Sequence, residues 1–202
     1  MPATRPPETP LILTAIARAS LRLFGWRVEG AVPNVPKMVI VGAPHTSNID
    51  GLIMFFVARV YRIRLRWMGK HTLFWPPLGW LLRWLGGIPI NRTASRGAVQ
   101  QMIDTFAASD RLVLLVTPEG TRGKSSRWKT GFYHIAQGAG VPIVLGSIDY
   151  RRKVIGIGPV ITPTGDYETD MQVVQAYYQD KVGRYPEKRT LPLGDTDQEK
   201  GE

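Results

Sequence analysis

The sequence predicts an α/β fold: a single domain with a mostly parallel or mixed central sheet flanked by helices, preceded by an amphipathic N-terminal helical segment. Three observations carry that reading. Short apolar, β-rich runs alternate with longer segments of helical periodicity. No internal repeat and no long Pro/Gly/Ser linker breaks the alternation. The chain has 202 residues, of which 44% are hydrophobic and 21% charged, enough to bury one sizeable core.

Taken in order, residues 1–10 (MPATRPPETP) hold four prolines and are predicted to be a disordered N-terminus. Residues 11–28 follow as an amphipathic, membrane-associating segment, with a helix predicted over Leu11–Arg27. Arg18, Arg22 and Arg27 sit among Leu11, Ile12, Ile16, Leu23, Phe24 and Trp26, which opposes a bilayer span. Two readings stay open for this helix: packing on its own domain, or lying in the plane of a membrane surface. Ala17-Arg18-Ala19 also has the small-residue spacing of a signal-peptide cleavage site, behind a Pro-rich leader that carries an acidic residue.

Residues 29–185 form the predicted catalytic domain. Strands are expected at Met38–Gly42, Ile63–Met68, Ile88–Ile90, Leu112–Thr117, Ile143–Ser147 and Val154–Gly158. Helices are expected at Asn48–Arg59, Ser95–Ser109, Thr130–Ala139 and Glu168–Lys181. Residues 186–202 are a polar C-terminal tail. Within the domain, LFWPPLGWLLRWLGGIPI (73–90) tempts a transmembrane assignment, but three prolines, three glycines and Arg83 argue against a spanning helix. Trp75, Trp80 and Trp84 fall here, with Trp67 just upstream. That concentration suits a water–lipid boundary or an acyl-binding wall as well as it suits a core.

Charge narrows the function classes. Lys and Arg number 26 against 16 Asp and Glu, a formal net charge of +10, which favours a polyanionic partner: nucleic acid, an anionic membrane surface or a phosphorylated substrate. The absence of Cys excludes disulfides, iron–sulfur clusters, thiolate catalysis and Cys-ligated zinc. With three His and no HExxH pair, no zinc-enzyme pattern is present.

The chemistry-bearing residues begin after the strand MVIVGA, in Pro44-His45-Thr46-Ser47-Asn48-Ile49-Asp50. Two residues five apart on one helix would point about 140° away from each other. His45 and Asp50 therefore meet only if His45 lies in the turn and Asp50 in the first turn of the next helix, with Ser47 as the N-cap. Asp50 would then accept from one ring nitrogen and leave the other basic toward a substrate hydroxyl. Alone, the pattern also fits a helix cap beside a surface histidine.

Other blocks join it. LVLLVT runs into Pro118-Glu119-Gly120-Thr121-Arg122; Lys70-His71-Thr72-Leu73 and Gly87-Ile88-Pro89-Ile90-Asn91-Arg92 lie upstream, and Val141-Pro142-Ile143-Val144 lies downstream. With these residues the chain resembles the glycerophospholipid acyltransferase family, typified by 1-acylglycerol-3-phosphate acyltransferases. Its four blocks appear in order as HTSNID, GIPINR, PEGTR and VPIVLG, from about residue 39 to 147. The resemblance implies that His45 is the general base that deprotonates the acceptor hydroxyl, and that Asp50 orients it. It implies that Arg92 and Arg122, with Lys70 a third position, hold the acceptor's phosphate. Glu119, Gly120 and Thr121 match the turn that shapes the pocket. Apart from the resemblance, the developing oxyanion needs donors, and backbone N–H groups near Gly120 are the expected ones.

The resemblance further implies an acyl donor, acyl-CoA or acyl-carrier protein, as co-substrate, and no cofactor or metal. The acceptor would be a lysophospholipid, 1-acylglycerol-3-phosphate first. Ala43-Pro44, Pro89, Asn91 and Gly123 depart from the family's usual residues, and one residue seems missing between Pro77 and Gly79. These departures leave another lysolipid, such as a lyso-aminolipid, as the alternative acceptor. The expected site of action is peripheral, on the cytoplasmic face of the cell membrane, with an anionic membrane surface as partner and no nucleic acid. Removing residues 1–27 is expected to spare the His45–Asp50 chemistry.

Two rivals come from other classes. Gly123-Lys124-Ser125 resembles the tail of a P-loop, but Pro118 replaces its first glycine and lacks the N–H a phosphate cradle needs. The basic IRLRWMGK stretch would suit a nucleic-acid backbone, but the basic residues are spread along the chain and no recognised motif accompanies it. His71 and His134 have no partner at telling spacing; His134 is expected to be structural.

Overall fold

A computed structural model describes residues 10–91 and 97–193. Among them, six α-helices surround a seven-stranded mixed sheet. The chain order is α1 (Leu11–Leu23), β1 (Arg27–Glu29), β2 (Lys37–Ala43), α2 (Asn48–Val60), β3 (Leu65–Lys70), α3 (Leu78–Trp84), β4 (Gly87–Ile90) and α4 (Gly97–Ala107). It continues with β5 (Leu112–Val116), α5 (Gly131–Ala139), β6 (Ile143–Asp149), β7 (Val154–Ile161) and α6 (Tyr167–Tyr178). Across the sheet the order is β1-β7-β6-β2-β5-β3-β4, parallel throughout except for the antiparallel β6–β7 pair. The predicted α/β class with a mixed sheet holds.

β2 lies at the middle because KMVIVGA is apolar on both faces. Six of its seven residues are buried, as expected for a strand covered by helices on both sides. Val39, Val41 and Ala43 face one layer, where α4, α5 and α6 contribute Met102, Phe106, Phe132, Tyr133, Met171 and Val174. Met38 and Ile40 face the other, under α2 through Ala58. Parallel pairing of β2 with both β5 and β6 sets three strand ends side by side at one edge. In open α/β sheets that carboxyl edge is where ligands bind.

The N-terminal helix ends earlier than predicted. Gly25 adopts φ +76°, and Trp26 N–H donates to Leu21 O (2.9 Å) while Gly25 N–H donates to Arg22 O (2.9 Å), a Schellman stop. Arg27–Glu29 then pairs with β7, so the division between residues 28 and 29 falls inside a strand. α1 buries Ala17 and Leu21 against α2, alongside Trp26, Ile53 and Val57. At about 100° per residue, Ile12, Ile16 and Leu23 fall together on the opposite side, and all three are exposed. The helix thus packs on its own domain and also presents a second, uncovered apolar face.

The C-terminal division at 185/186 likewise falls within packed chain. Pro186–Lys188 forms a 3₁₀ turn, Thr190 is buried, and Trp128 Nε1–H donates to Thr190 O at 2.8 Å. A short helix, α3, was not predicted; it lies in the Trp-rich stretch and leaves Trp75, Trp80 and Trp84 largely exposed. Among the described residues no helix is long and apolar enough to cross a membrane. Residues 1–9, most of the segment predicted disordered, lie outside the described residues, as do 194–202.

Candidate active site

The turn after β2 delivers His45, and Ser47 then opens α2 as its N-cap. Ser47 Oγ accepts from Ile49 N–H (3.3 Å), while Asp50 Oδ2 accepts from Ser47 N–H (2.8 Å), closing a capping box. Oδ2 also accepts from Thr46 N–H at 2.9 Å. The local sequence that starts the helix therefore also fixes the carboxylate. His45 Nδ1 lies 3.3 Å from Asp50 Oδ2, long for a hydrogen bond, and it is buried with no other polar partner. Such contacts are often loose until a substrate engages the second ring nitrogen. The arrangement is the one the spacing required: His45 in the turn, Asp50 in the first helical turn.

Asp50 is wholly buried, which pushes its carboxyl up. The contact with His45, with hydrogen bonds from Tyr150 O–H and Ser47 N–H, outweighs burial and holds it below the ordinary carboxylate value. It stays ionised and can orient an imidazole and stabilise the imidazolium.

β5, the neighbour of β2, ends in the second half of the site. Glu119 is 2% exposed, and its Oε2 accepts from His45 N–H at 2.6 Å, tying the PEGTR turn to the histidine's backbone. Burial pushes Glu119 up to about 7 despite the His45 bond, and its Oε1 has no hydrogen-bond partner. Gly120 turns the chain with φ +68°. Of the backbone N–H groups near Gly120, its own donates to Thr117 O (3.1 Å). Thr121 and Arg122 follow on the exposed turn, where Thr121 Oγ1 accepts from Gly123 N–H.

His45, Asp50 and Glu119 are thus brought together, with Gly120, Thr121 and Arg122 on the adjoining turn. Lys70 ends β3 at the same edge, but β5 intervenes between β3 and β2, a lateral offset of roughly 10 Å. Arg92 lies outside the described residues. His71 is exposed in a 3₁₀ turn; His134 is exposed on α5, edge-on to Tyr133. No helix follows Gly123-Lys124-Ser125 until Gly131, so the helix N-terminus a P-loop needs is missing there. Among the described residues, no cluster of His, Asp and Glu could hold a metal ion.

Sequence reading missed the segment behind the dyad. Tyr150, just past β6, donates to Asp50 Oδ1 at 2.5 Å, and Tyr185 N–H donates to Thr46 Oγ1 at 3.2 Å. A tyrosine at the carboxyl end of a strand beside β2 is a legible signal, but the strand was expected to stop at Ser147. The expectation that residues 1–27 are dispensable for the dyad meets a contact that ties this segment to the site. Trp26 is 7% exposed and packs edge-on against Tyr150 (centroids 5.0 Å, interplanar 86°), so removing it would undercut a partner of Asp50.

An α/β sheet carrying a turn-borne His and a helix-capping Asp at its carboxyl edge, with a PEGTR turn against them, defines an acyltransferase-type domain. Residues 27–147 match the Acyltransferase family, more than half of the chain, and the chain belongs to that family. Its curated relatives include the 1-acyl-sn-glycerol-3-phosphate acyltransferases of Haemophilus influenzae and Escherichia coli. Each is 32% identical over 132 residues, covering 60% of this chain and 53% and 52% of the relative, respectively. The chain therefore spans about half the length of the curated relatives it matches. The crystal structure of the 1-acyl-sn-glycerophosphate (LPA) acyltransferase PlsC of Thermotoga maritima shares the fold, with a TM-score of 0.56. That alignment is 21% identical and covers 81% of this chain and 73% of the other.

Proposed function

We propose that this protein transfers a fatty acyl group from a thioester donor, acyl-CoA or acyl-carrier protein, to the hydroxyl of a lysophospholipid, with 1-acylglycerol-3-phosphate as the first acceptor. The observation that carries the reading is the His45–Asp50 pair at the carboxyl edge of β2, anchored by Glu119. With Nδ1 turned to Asp50, Nε2 is the nitrogen left for the acceptor. It takes the hydroxyl proton as the oxygen attacks the thioester carbonyl. The tetrahedral intermediate collapses with loss of thiolate, which recovers the proton from the imidazolium. No covalent enzyme intermediate and no cofactor is required, which suits a chain without Cys. Arg122, with Lys70 and Arg92, would hold the acceptor's phosphate through charge-assisted bonds.

A groove of about 830 Å³ supports an apolar substrate. Its lining includes Gly51, the residue after Asp50, together with Leu52, Phe55, Trp67 and Leu85. Leu13 of α1 and Trp84 of α3, both exposed apolar residues, line it as well. That layout favours peripheral docking on an anionic leaflet at the cytoplasmic face of the cell membrane, apolar side chains inserting beside basic residues.

The test is an acyl-transfer assay with purified protein, across acyl-CoA and acyl-carrier-protein donors and a panel of lysolipid acceptors that includes a lyso-aminolipid. Transfer to 1-acylglycerol-3-phosphate is expected, with at least ~10²-fold loss in His45→Ala and a comparable loss in Asp50→Asn. Either variant retaining more than half the wild-type rate would remove the dyad from the mechanism. Preference for the lyso-aminolipid would reassign the acceptor.

A further inference from the structure

β6 runs to Asp149 and places Tyr150 at the carboxyl edge beside β2. Tyr150 lies outside all four sequence blocks and beyond the matched segment 27–147. Its O–H donates to Asp50 Oδ1 (2.5 Å), while Oδ2 takes Thr46 N–H and Ser47 N–H and faces His45 Nδ1. The two carboxylate oxygens therefore have separate duties. Tyr150 is itself held on two sides, by its N–H donating to Val182 O (2.8 Å) and by the ring of Trp26.

We infer that Tyr150 is a positioning residue for the His45–Asp50 pair: its hydroxyl locks the carboxylate so that Oδ2 stays turned toward Nδ1, and its ring ties the pair to the α1–β1 unit through Trp26. The terminal torsion of an aspartate is broad, so a donor on Oδ1 is what stops it rocking. The charged and titratable groups around Asp50 come from four elements: His45 on the β2 turn, Glu119 on the β5 turn, Tyr150 after β6, and Arg184, which acts on Tyr150 from the C-terminal segment. Burial and the neighbouring Asp50 charge push the Tyr150 phenol well up, so it remains a donor at any working pH.

Tyr150→Phe keeps the ring against Trp26 and removes only the O–H. The activity arm rests on the acyl-transfer reading. In it, kcat should fall about tenfold with KM for both substrates within about twofold, the size expected for one lost charged hydrogen bond. In the Asp50→Asn background, Tyr150→Phe should cost less than about twofold further, since the two act through one interaction. A second arm needs no turnover: in ¹³C-labelled full-length protein, the Asp50 carboxyl titration should move up in Tyr150→Phe. An unmoved Asp50 titration, or a full tenfold loss added to that of Asp50→Asn, would overturn the inference. Absence of acyl transfer in the wild type would sink the activity reading alone, and the carboxyl titration would still decide the role of Tyr150.

Discussion

Glu119→Gln should change how stability depends on pH, by an amount the site itself sets. The Glu119 carboxyl is buried, has its ordinary value of 4.5 in the unfolded chain, and is raised to about 7 in the fold. Between those values the folded state binds more protons than the unfolded one, so this group's contribution declines as pH rises through the window. It is fully present below about 4.5 and fully lost above about 7, a swing of about 3 kcal/mol. Glutamine has the same shape and stays neutral; its carbonyl can accept from His45 N–H, and its NH₂ would sit where Oε1 now has no hydrogen-bond partner. The assay is urea denaturation of both proteins at pH 5, 6, 7 and 8. The variant should gain on the wild type with rising pH, by up to about 3 kcal/mol across that range. Asp50 does not interfere, since its lowered value places its loss of stability at more acid pH. A stability gap that stays constant within about 0.5 kcal/mol would show that Glu119 titrates like an exposed carboxylate, and the argument from burial would fail.

Arg122→Ala should raise KM for a phosphorylated acceptor about tenfold to a hundredfold while leaving a neutral acceptor nearly unchanged, from a lost charge-assisted contact of ~1.5–3 kcal/mol. Equal losses for both acceptors, read from initial rates, would make the arginine structural. Vesicle co-sedimentation should require anionic lipid and weaken with salt. It should weaken again in Ile16→Ser/Leu23→Ser and in Trp80→Ser/Trp84→Ser, which alter exposed apolar surface and spare the buried face of α1. Identical pelleting of wild type and both variants would refute docking through these surfaces. Trp26→Ala should lower stability by about 3–5 kcal/mol, read by chemical denaturation, because it empties a core position shared by α1, β6 and β7.

Much of this protein is local in origin and therefore legible in its sequence. MVIVGA is apolar at every position and becomes the central strand, since only a doubly covered strand tolerates that pattern. HTSNID contains its own geometry: the Ser47 cap and the Asp50 return bond are contacts within four residues, so strand end, helix start and dyad follow from one short segment. What the sequence left open depends on contacts distant along the chain. The Schellman stop at Gly25 shortens a helix whose hydrophobic pattern runs on, because the partner for residues 27–29 is a strand more than 120 residues later. α1's choice between domain and membrane resolves into two faces only once α2 is packed against it. Glu119 reaches His45 across 74 residues, and Tyr150 reaches Asp50 across 100, because parallel pairing aligns the ends of β2, β5 and β6. Periodicity records which face a residue turns inward. Which strand ends become neighbours is set by the order of the sheet, and that order exists only in the folded chain.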